Sequence, residues 1–221
     1  MTHTRLLRRC LAAALLLAPA LLPAQQRPLT RWESQARDLL KELVEINTTL
    51  TTGNSVAAAE AMAKHMRAAG FPAEDVVVVE HAPRKGNLIV RYRGRSTARK
   101  PILLLSHIDV VEANPADWTL PPFQFIEKDG NFYGRGVADD KDEGAIHLTI
   151  LLRMKAEGIV PDRDLIVALT ADEEGGPANG VDWILKHRPE LLAAEYALNE
   201  GGGGRMENGR RVANEIGRAH V

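Results

Sequence analysis

A chain of 221 residues is long enough for one domain with a substantial core, or for one domain and part of another. Its 28 Lys and Arg against 29 Asp and Glu leave a formal net charge of -1, which argues against a nucleic-acid binder and against an acidic disordered tail. The single cysteine, Cys10, sits close to the N-terminus.

Arg5, Arg8 and Arg9 precede an apolar run over residues 11–22, followed by Pro23, Ala24 and two glutamines. A positive start, a short apolar stretch and a small residue before a polar one describe a secretory signal peptide over residues 1–24. The run falls short of the roughly 20 apolar residues that a membrane-spanning helix needs. The expected product is secreted or periplasmic and has no membrane contact once the signal is removed. Arg8-Arg9 keeps twin-arginine export open beside the general route. With Cys10 removed, the mature chain has no thiol, which excludes a disulfide, a cysteine nucleophile and a cysteine-held zinc. Any metal must then be held by His, Asp and Glu.

From Thr30 the pattern is helical: Thr30 and Glu33 have capping-box spacing, and Leu39, Leu40, Leu43, Val44 and Ile46 form an apolar stripe. A second helix is expected over residues 55–69, stopped by Gly70 and Pro72. Short β-rich runs follow over residues 76–79, 88–92 and 102–105. A loop rich in Pro, Asp and Gly passes through Trp118, Pro121, Pro122 and Gly130. The spacing then predicts a helix over 143–155, a buried strand over 165–169, a helix over 181–186 and a short strand over 196–198. Alternating strands and helices of these lengths imply an α/β layer fold with a mixed, largely parallel central sheet flanked by helices.

Three of the expected strands end in metal-type side chains. Residues 102–105 run into Ser106-His107-Ile108-Asp109, residues 165–169 into Asp172-Glu173-Glu174, and residues 196–198 into Asn199-Glu200. Ligands of open α/β sheets bind beyond the carboxyl ends of the strands, so these groups are expected to share one crevice. His107 and Asp109, two residues apart on an extended strand, point to one face, where the carboxylate could fix the tautomer of a metal-binding imidazole. Asp139 and Asp140 follow a glycine-rich turn and precede a helix. That position suits a ligand, and equally suits a simple helix cap. Of the adjacent Glu173 and Glu174, one could hold a metal while the other deprotonates a water. Each pair taken singly is also common on a solvated surface, so the convergence carries the argument.

Together these segments resemble the di-zinc metallopeptidases that include aminoacylase, carnosinase, Gly-X carboxypeptidase and glutamate carboxypeptidase. The likeness rests on Ser106-His107-Ile108-Asp109-Val110-Val111, on Trp118 with Pro121-Pro122-Phe123, and on Tyr133-Gly134-Arg135-Gly136 with Asp139-Asp140-Lys141. Asp172-Glu173-Glu174-Gly175 and Asn199-Glu200-Gly201-Gly202 complete it. The resemblance implies the N-terminal part of a metallopeptidase catalytic domain over residues 25–214. It implies two zinc ions, with manganese or cobalt as alternatives. His107 and Glu200 would hold the first, Glu174 the second, and Asp139 would bridge them through a cis peptide to Asp140. Asp109 would orient His107, and Glu173 would be the general base. The implied reaction is hydrolysis of the amide bond of a small peptide or an N-acyl amino acid by a water that the two metals activate. The other reading is a non-catalytic metal-binding homologue, or an inactive fragment of such an enzyme.

The resemblance also implies a further histidine ligand and a small lid domain, which carries homodimer contacts, beyond the matched segments. The family usually carries glycine where this chain has Asp142. Residues 215–221 read as the in-frame translation of a sequencing adapter, so they are expected to be a non-native tail and His220 is not offered as a ligand.

Overall fold

The computed structural model describes residues 27–201, 204–207 and 210–214. The expected signal peptide, 1–24, and the expected tail, 215–221, lie outside the described residues. The chain divides into a unit ending at Thr30 and a second beginning at Arg31, and the elements below belong to the second.

Helix α1 spans Arg31–Glu45 and buries Leu39, Leu40, Leu43 and Val44, the stripe expected from the 3.6-residue period. Helix α2 spans Ser55–Ala68. It is capped by Asn54, whose side-chain oxygen accepts the Ala57 N–H at 3.1 Å. Strands β1 (Val76–Ala82) and β2 (Lys85–Tyr92) form an antiparallel hairpin in which Ala82 pairs with Lys85. Strand β3 is Ile102–His107. The stretch read as loop then contains a second hairpin, β4 (Ile126–Lys128) and β5 (Asn131–Tyr133). Its turn is Asp129-Gly130, with φ of 52° and 75° at the two positions. Positive φ at both central residues is what a two-residue hairpin turn requires, and Asp-Gly supplies it at low cost.

Helix α3 spans Lys141–Ala156 and begins two residues earlier than the expected 143, so Asp140 is its N-terminal cap position. Strand β6 (Leu165–Thr170), helix α4 (Gly180–His187) and strand β7 (Tyr196–Leu198) follow. The last described pair, β8 (Gly204–Glu207) and β9 (Arg210–Asn214), is antiparallel.

The main sheet has the order β1-β2-β6-β3-β7. Its β1-β2 and β2-β6 pairs are antiparallel, whereas β6-β3 and β3-β7 are parallel. The sheet is therefore mixed, as expected, with its parallel part where the metal-type residues lie. Helices cover both faces. On one, Leu88, Val90, Val167 and Leu169 meet Leu43, Met62, Met66, Leu148 and Leu151 from α1, α2 and α3. On the other, Ile89, Ile166 and Ala168 meet Ile184 of α4. Successive strand residues point to opposite faces, which is why the apolar run over 165–169 shows no alternation: both faces are dry. Each fully buried Leu or Met here contributes on the order of 1.5–3 kcal/mol relative to exposure.

Candidate metal centre

Because β3, β6 and β7 run parallel, their carboxyl ends open on the same side. His107 pairs with Thr170 in register, and Leu104 pairs with Leu198. Asp109, Glu173, Glu174 and Glu200 follow those ends and meet there. His107 and Asp109 are buried, at 2% and 3% exposure, while Glu173 is half exposed.

The imidazole is fixed from one side and open on the other. Nδ1 lies 3.1 Å from the backbone carbonyl of Asp109, so the proton belongs on Nδ1, which donates. Among the described residues, Nε2 faces carboxylates: Asp139 Oδ1 at 3.0 Å, Glu200 Oε1 at 3.5 Å and Glu173 Oε2 at 3.9 Å. A neutral nitrogen lone pair aimed at carboxylate oxygens is repulsive unless a positive centre lies between them. A second proton can be that centre. Burial pulls the His107 pKa down, but Asp109 and then Glu200 outweigh it, and the net shift is upward.

A divalent cation meets the same requirement. Two donor groups gather around His107 among the described residues. One is His107, Asp139 and Glu174, and the other is His107, Asp140 and Glu200. Within each group, one ligand atom per residue lies within 4.8 Å of the others. An imidazole nitrogen with carboxylate oxygens suits zinc, manganese and cobalt. The carboxylates crowd one another. Glu174 is raised by burial and by Asp139, and Glu200 is raised by burial and by Asp139 against the lowering pull of His107. Asp140, at 2% exposure, is pushed up to about 7, mainly by burial. Four carboxylates around one imidazole fit a site built for bound positive charge.

The geometry gives Asp109 a contact beyond the expected one. Its carboxylate stands 3.7 Å from the imidazole Nδ1. Its two oxygens also accept the backbone N–H groups of Glu173 and Glu174, each at 3.1 Å. Asp109 thus fixes the segment that presents both glutamates, and His107 is oriented by the neighbouring backbone carbonyl. Asp140 was expected only as a neighbour of Asp139. Its Oδ2 accepts the His107 backbone N–H at 3.1 Å, and the Asp139-Asp140 peptide is cis, as the resemblance implies.

Other supports were given no role by the sequence, Lys141 among them although it belongs to the Asp139-Asp140-Lys141 segment. Lys141 is fully buried, and its Nζ donates to the carbonyls of Leu43 and Ile46 at 2.8 and 3.0 Å, tying the start of α3 to the end of α1. Burial brings its pKa down to about 7. Lys85 Nζ meets Asp172 Oδ1 at 2.5 Å, the residue just before the two glutamates. Asn87 Oδ1 accepts the Ala171 N–H at 3.0 Å, and a Cβ on Gly180 would fall 1.9 Å from that same oxygen. Only glycine lets α4 approach so closely. Asp142, at the usual glycine position, lies in the first turn of α3 with one oxygen buried and unpartnered, and burial raises it.

Comparison with known proteins agrees with this architecture. Residues 103–214 match the model of peptidase family M20/M25/M40. The chain is 31% identical over 186 residues to the succinyl-diaminopimelate desuccinylase of Delftia acidovorans, covering 80% of this chain and 48% of that one. It is 32% identical over 166 residues to aminoacylase-1 of Sus scrofa, covering 74% and 40%. The fold is similar to that of human carnosine dipeptidase 1, with a TM-score of 0.60 at 17% identity over 78% of this chain and 41% of that one. The chain thus spans less than half the length of each of these relatives. Half of its 221 residues match the family model, and that stretch carries the strand ends that meet around His107, so the chain belongs to peptidase family M20/M25/M40.

Proposed function

We propose that this protein is a metal-dependent hydrolase of the amide bonds of small peptides or N-acyl amino acids, of the exopeptidase or aminoacylase type. The observation that carries the reading is the convergence of His107, Asp139, Glu174 and Glu200, with the free carboxylate of Glu173 3.9 Å from His107 Nε2. Relatives named desuccinylase, aminoacylase and dipeptidase support amide hydrolysis as the reaction class.

His107, Asp139, Glu174 and Glu200 would hold a pair of divalent cations, zinc foremost, with manganese or cobalt served by the same donors. Excess carboxylate charge supports a pair over a single ion: Asp139, Asp140, Glu174 and Glu200 together bring more negative charge than one dication balances. Such cations polarise a carbonyl and bring the pKa of water toward ~7. The protein's own groups do the rest. Glu173 takes the proton of the attacking water and passes it to the departing amine. Asp109, through the two N–H groups it accepts, keeps Glu173 and Glu174 in register. His107 keeps Nε2 free because Nδ1 is committed to the Asp109 carbonyl. Signal-directed export, on the basic and apolar N-terminal pattern, is part of the same proposal.

The test is hydrolysis of Gly-X dipeptides and N-acyl amino acids by the complete gene product, with and without a chelator. Chelator-sensitive cleavage is expected, with Glu173→Gln lowering kcat by roughly 10²–10⁴-fold at unchanged metal content. Full activity in Glu173→Gln, or in the chelated protein, would refute the mechanism.

A further inference from the structure

Ten residues at the other end of the sheet carry five cations and no acid: Arg91, Arg93, Arg95, Arg99 and Lys100. In a chain of formal charge -1 this concentration is local. Arg91 pairs in register with Ile166 and Tyr92 with Leu165, so the loop that follows lies at the amino ends of β3 and β6. The metal centre follows the carboxyl ends of those strands, about 17 Å away at ~3.3 Å per residue.

The loop is held firmly at its root. Gly94 N–H donates to Asp164 Oδ1 and Arg95 N–H to the Pro161 carbonyl, both at 2.8 Å. A Cβ on Gly94 would fall 2.3 Å from the Arg163 backbone, so the loop lies flat against the 161–164 segment. There it forms a cavity of about 340 Å³ lined by Arg91, Arg93, Thr97, Arg99, Lys100 and Asp164.

The one carboxylate in that lining is already used. Asp164 holds Arg91 at 3.1 Å and Arg93 at 3.7 Å besides the Gly94 N–H. Arg93 has a second partner in Asp75, at 2.6 Å, and Arg95 pairs with Asp162 outside the cavity. Arg99, Lys100 and the Thr97 hydroxyl have no side-chain partner among the described residues, and both cations are exposed. The free groups are therefore a guanidinium, an ammonium and a hydroxyl, beside two arginines already fixed in place.

We propose that this cavity binds a phosphate monoester or diester anion, at a site separate from the metal centre. Arginine forks match phosphate oxygens, lysine adds a point charge, and a ligand that only accepts hydrogen bonds suits a lining whose acceptor is spent. The pinned loop lowers the ordering cost of binding. Such a phosphate could come from the headgroup of an anionic lipid or from a soluble ester, and the two sources separate experimentally.

Calorimetric titration of the chain with glycerol 3-phosphate at low salt is the first arm, and co-sedimentation with vesicles of phosphatidylglycerol against phosphatidylcholine is the second. The comparison protein is Arg99→Ala/Lys100→Ala, two exposed and partnerless residues whose removal leaves the fold intact, as circular dichroism would verify. Saturable glycerol 3-phosphate binding, weakened about tenfold or more in the double variant and by added salt, is expected. Co-sedimentation only with phosphatidylglycerol, lost in the variant, would support the proposal with a lipid source. Ester binding without co-sedimentation would support it with a soluble source. The proposal is overturned if neither probe binds, if the variant binds as tightly as the parent, or if His107→Ala rather than the loop variant abolishes binding.

Discussion

Replacing Asp109 tests most directly whether it holds the segment that carries the two glutamates. Its carboxylate, 3% exposed, accepts the Glu173 and Glu174 N–H groups at 3.1 Å each. A hydrogen bond to a charged group is worth about 1.5–3 kcal/mol, and the two N–H groups are only part-buried, so the low end of the sum applies. Asp109→Ala removes both acceptors and is expected to cost about 3–5 kcal/mol. Asp109→Asn keeps one acceptor oxygen but turns an amide donor toward the other N–H, so about half of that loss is expected. The assay is urea unfolding of the metal-free protein, read as a fall in midpoint at constant slope. A second readout separates charge from hydrogen bonding. Asp109 is the largest upward influence on His107, so the His107 pKa, followed by NMR, should drop in both variants. If Asp109→Asn unfolded at the parent midpoint while metal affinity fell by 10–100-fold, the carboxylate would be acting on the imidazole and the present assignment would be wrong.

Lys85→Met leaves the Asp172 carboxylate buried at 2% exposure without its cation, and a loss of about 3–5 kcal/mol in urea unfolding is expected. Lys85→Met/Asp172→Asn removes the buried charge, keeps an acceptor for the Ala178 N–H and suits the φ of 58° at that position, so it should recover most of that loss, and a double variant as unstable as the single one would argue against the pairing. Burial holds the His147 pKa below its ordinary 6.5, with Nδ1 2.9 Å from the Ser106 hydroxyl. The unfolded chain then binds more protons than the folded one between the lowered value and 6.5, so stability rises with pH across that window and is lost as pH falls through it. His147→Gln should flatten that part of the stability profile of the metal-free protein, and an unchanged profile would remove His147 from the account.

The fold was legible where one face of an element meets water and the other does not. The Leu39-to-Val44 stripe identified α1, and the apolar run over 165–169 identified a buried strand, but its division into Val167 and Leu169 on one face and Ile166 and Ala168 on the other appears only in the sheet. The Asp129-Gly130 turn had a local signature, but the Pro121-Pro122 pair before it made the whole stretch read as loop. The candidate ligand residues stood out in the sequence because acids and a histidine at apolar strand ends are costly without a purpose. Their supports did not, because Lys85 with Asp172, Asn87 with Ala171 and Lys141 with Leu43 are contacts across more than 80 residues of chain. Nothing near Lys85 or Lys141 in sequence marks either as buried. Asp109 lies between these cases. Spacing along one strand pointed it at His107, since a single strand offers no other partner. Once β3 lies parallel to β6 with His107 opposite Thr170, two residues beyond the first stand opposite two residues beyond the second. That step brings Asp109 to the 172–174 segment, where two backbone N–H groups turn toward it. The partner of Asp109 is thus a consequence of strand order, which a sequence pattern of period two does not contain.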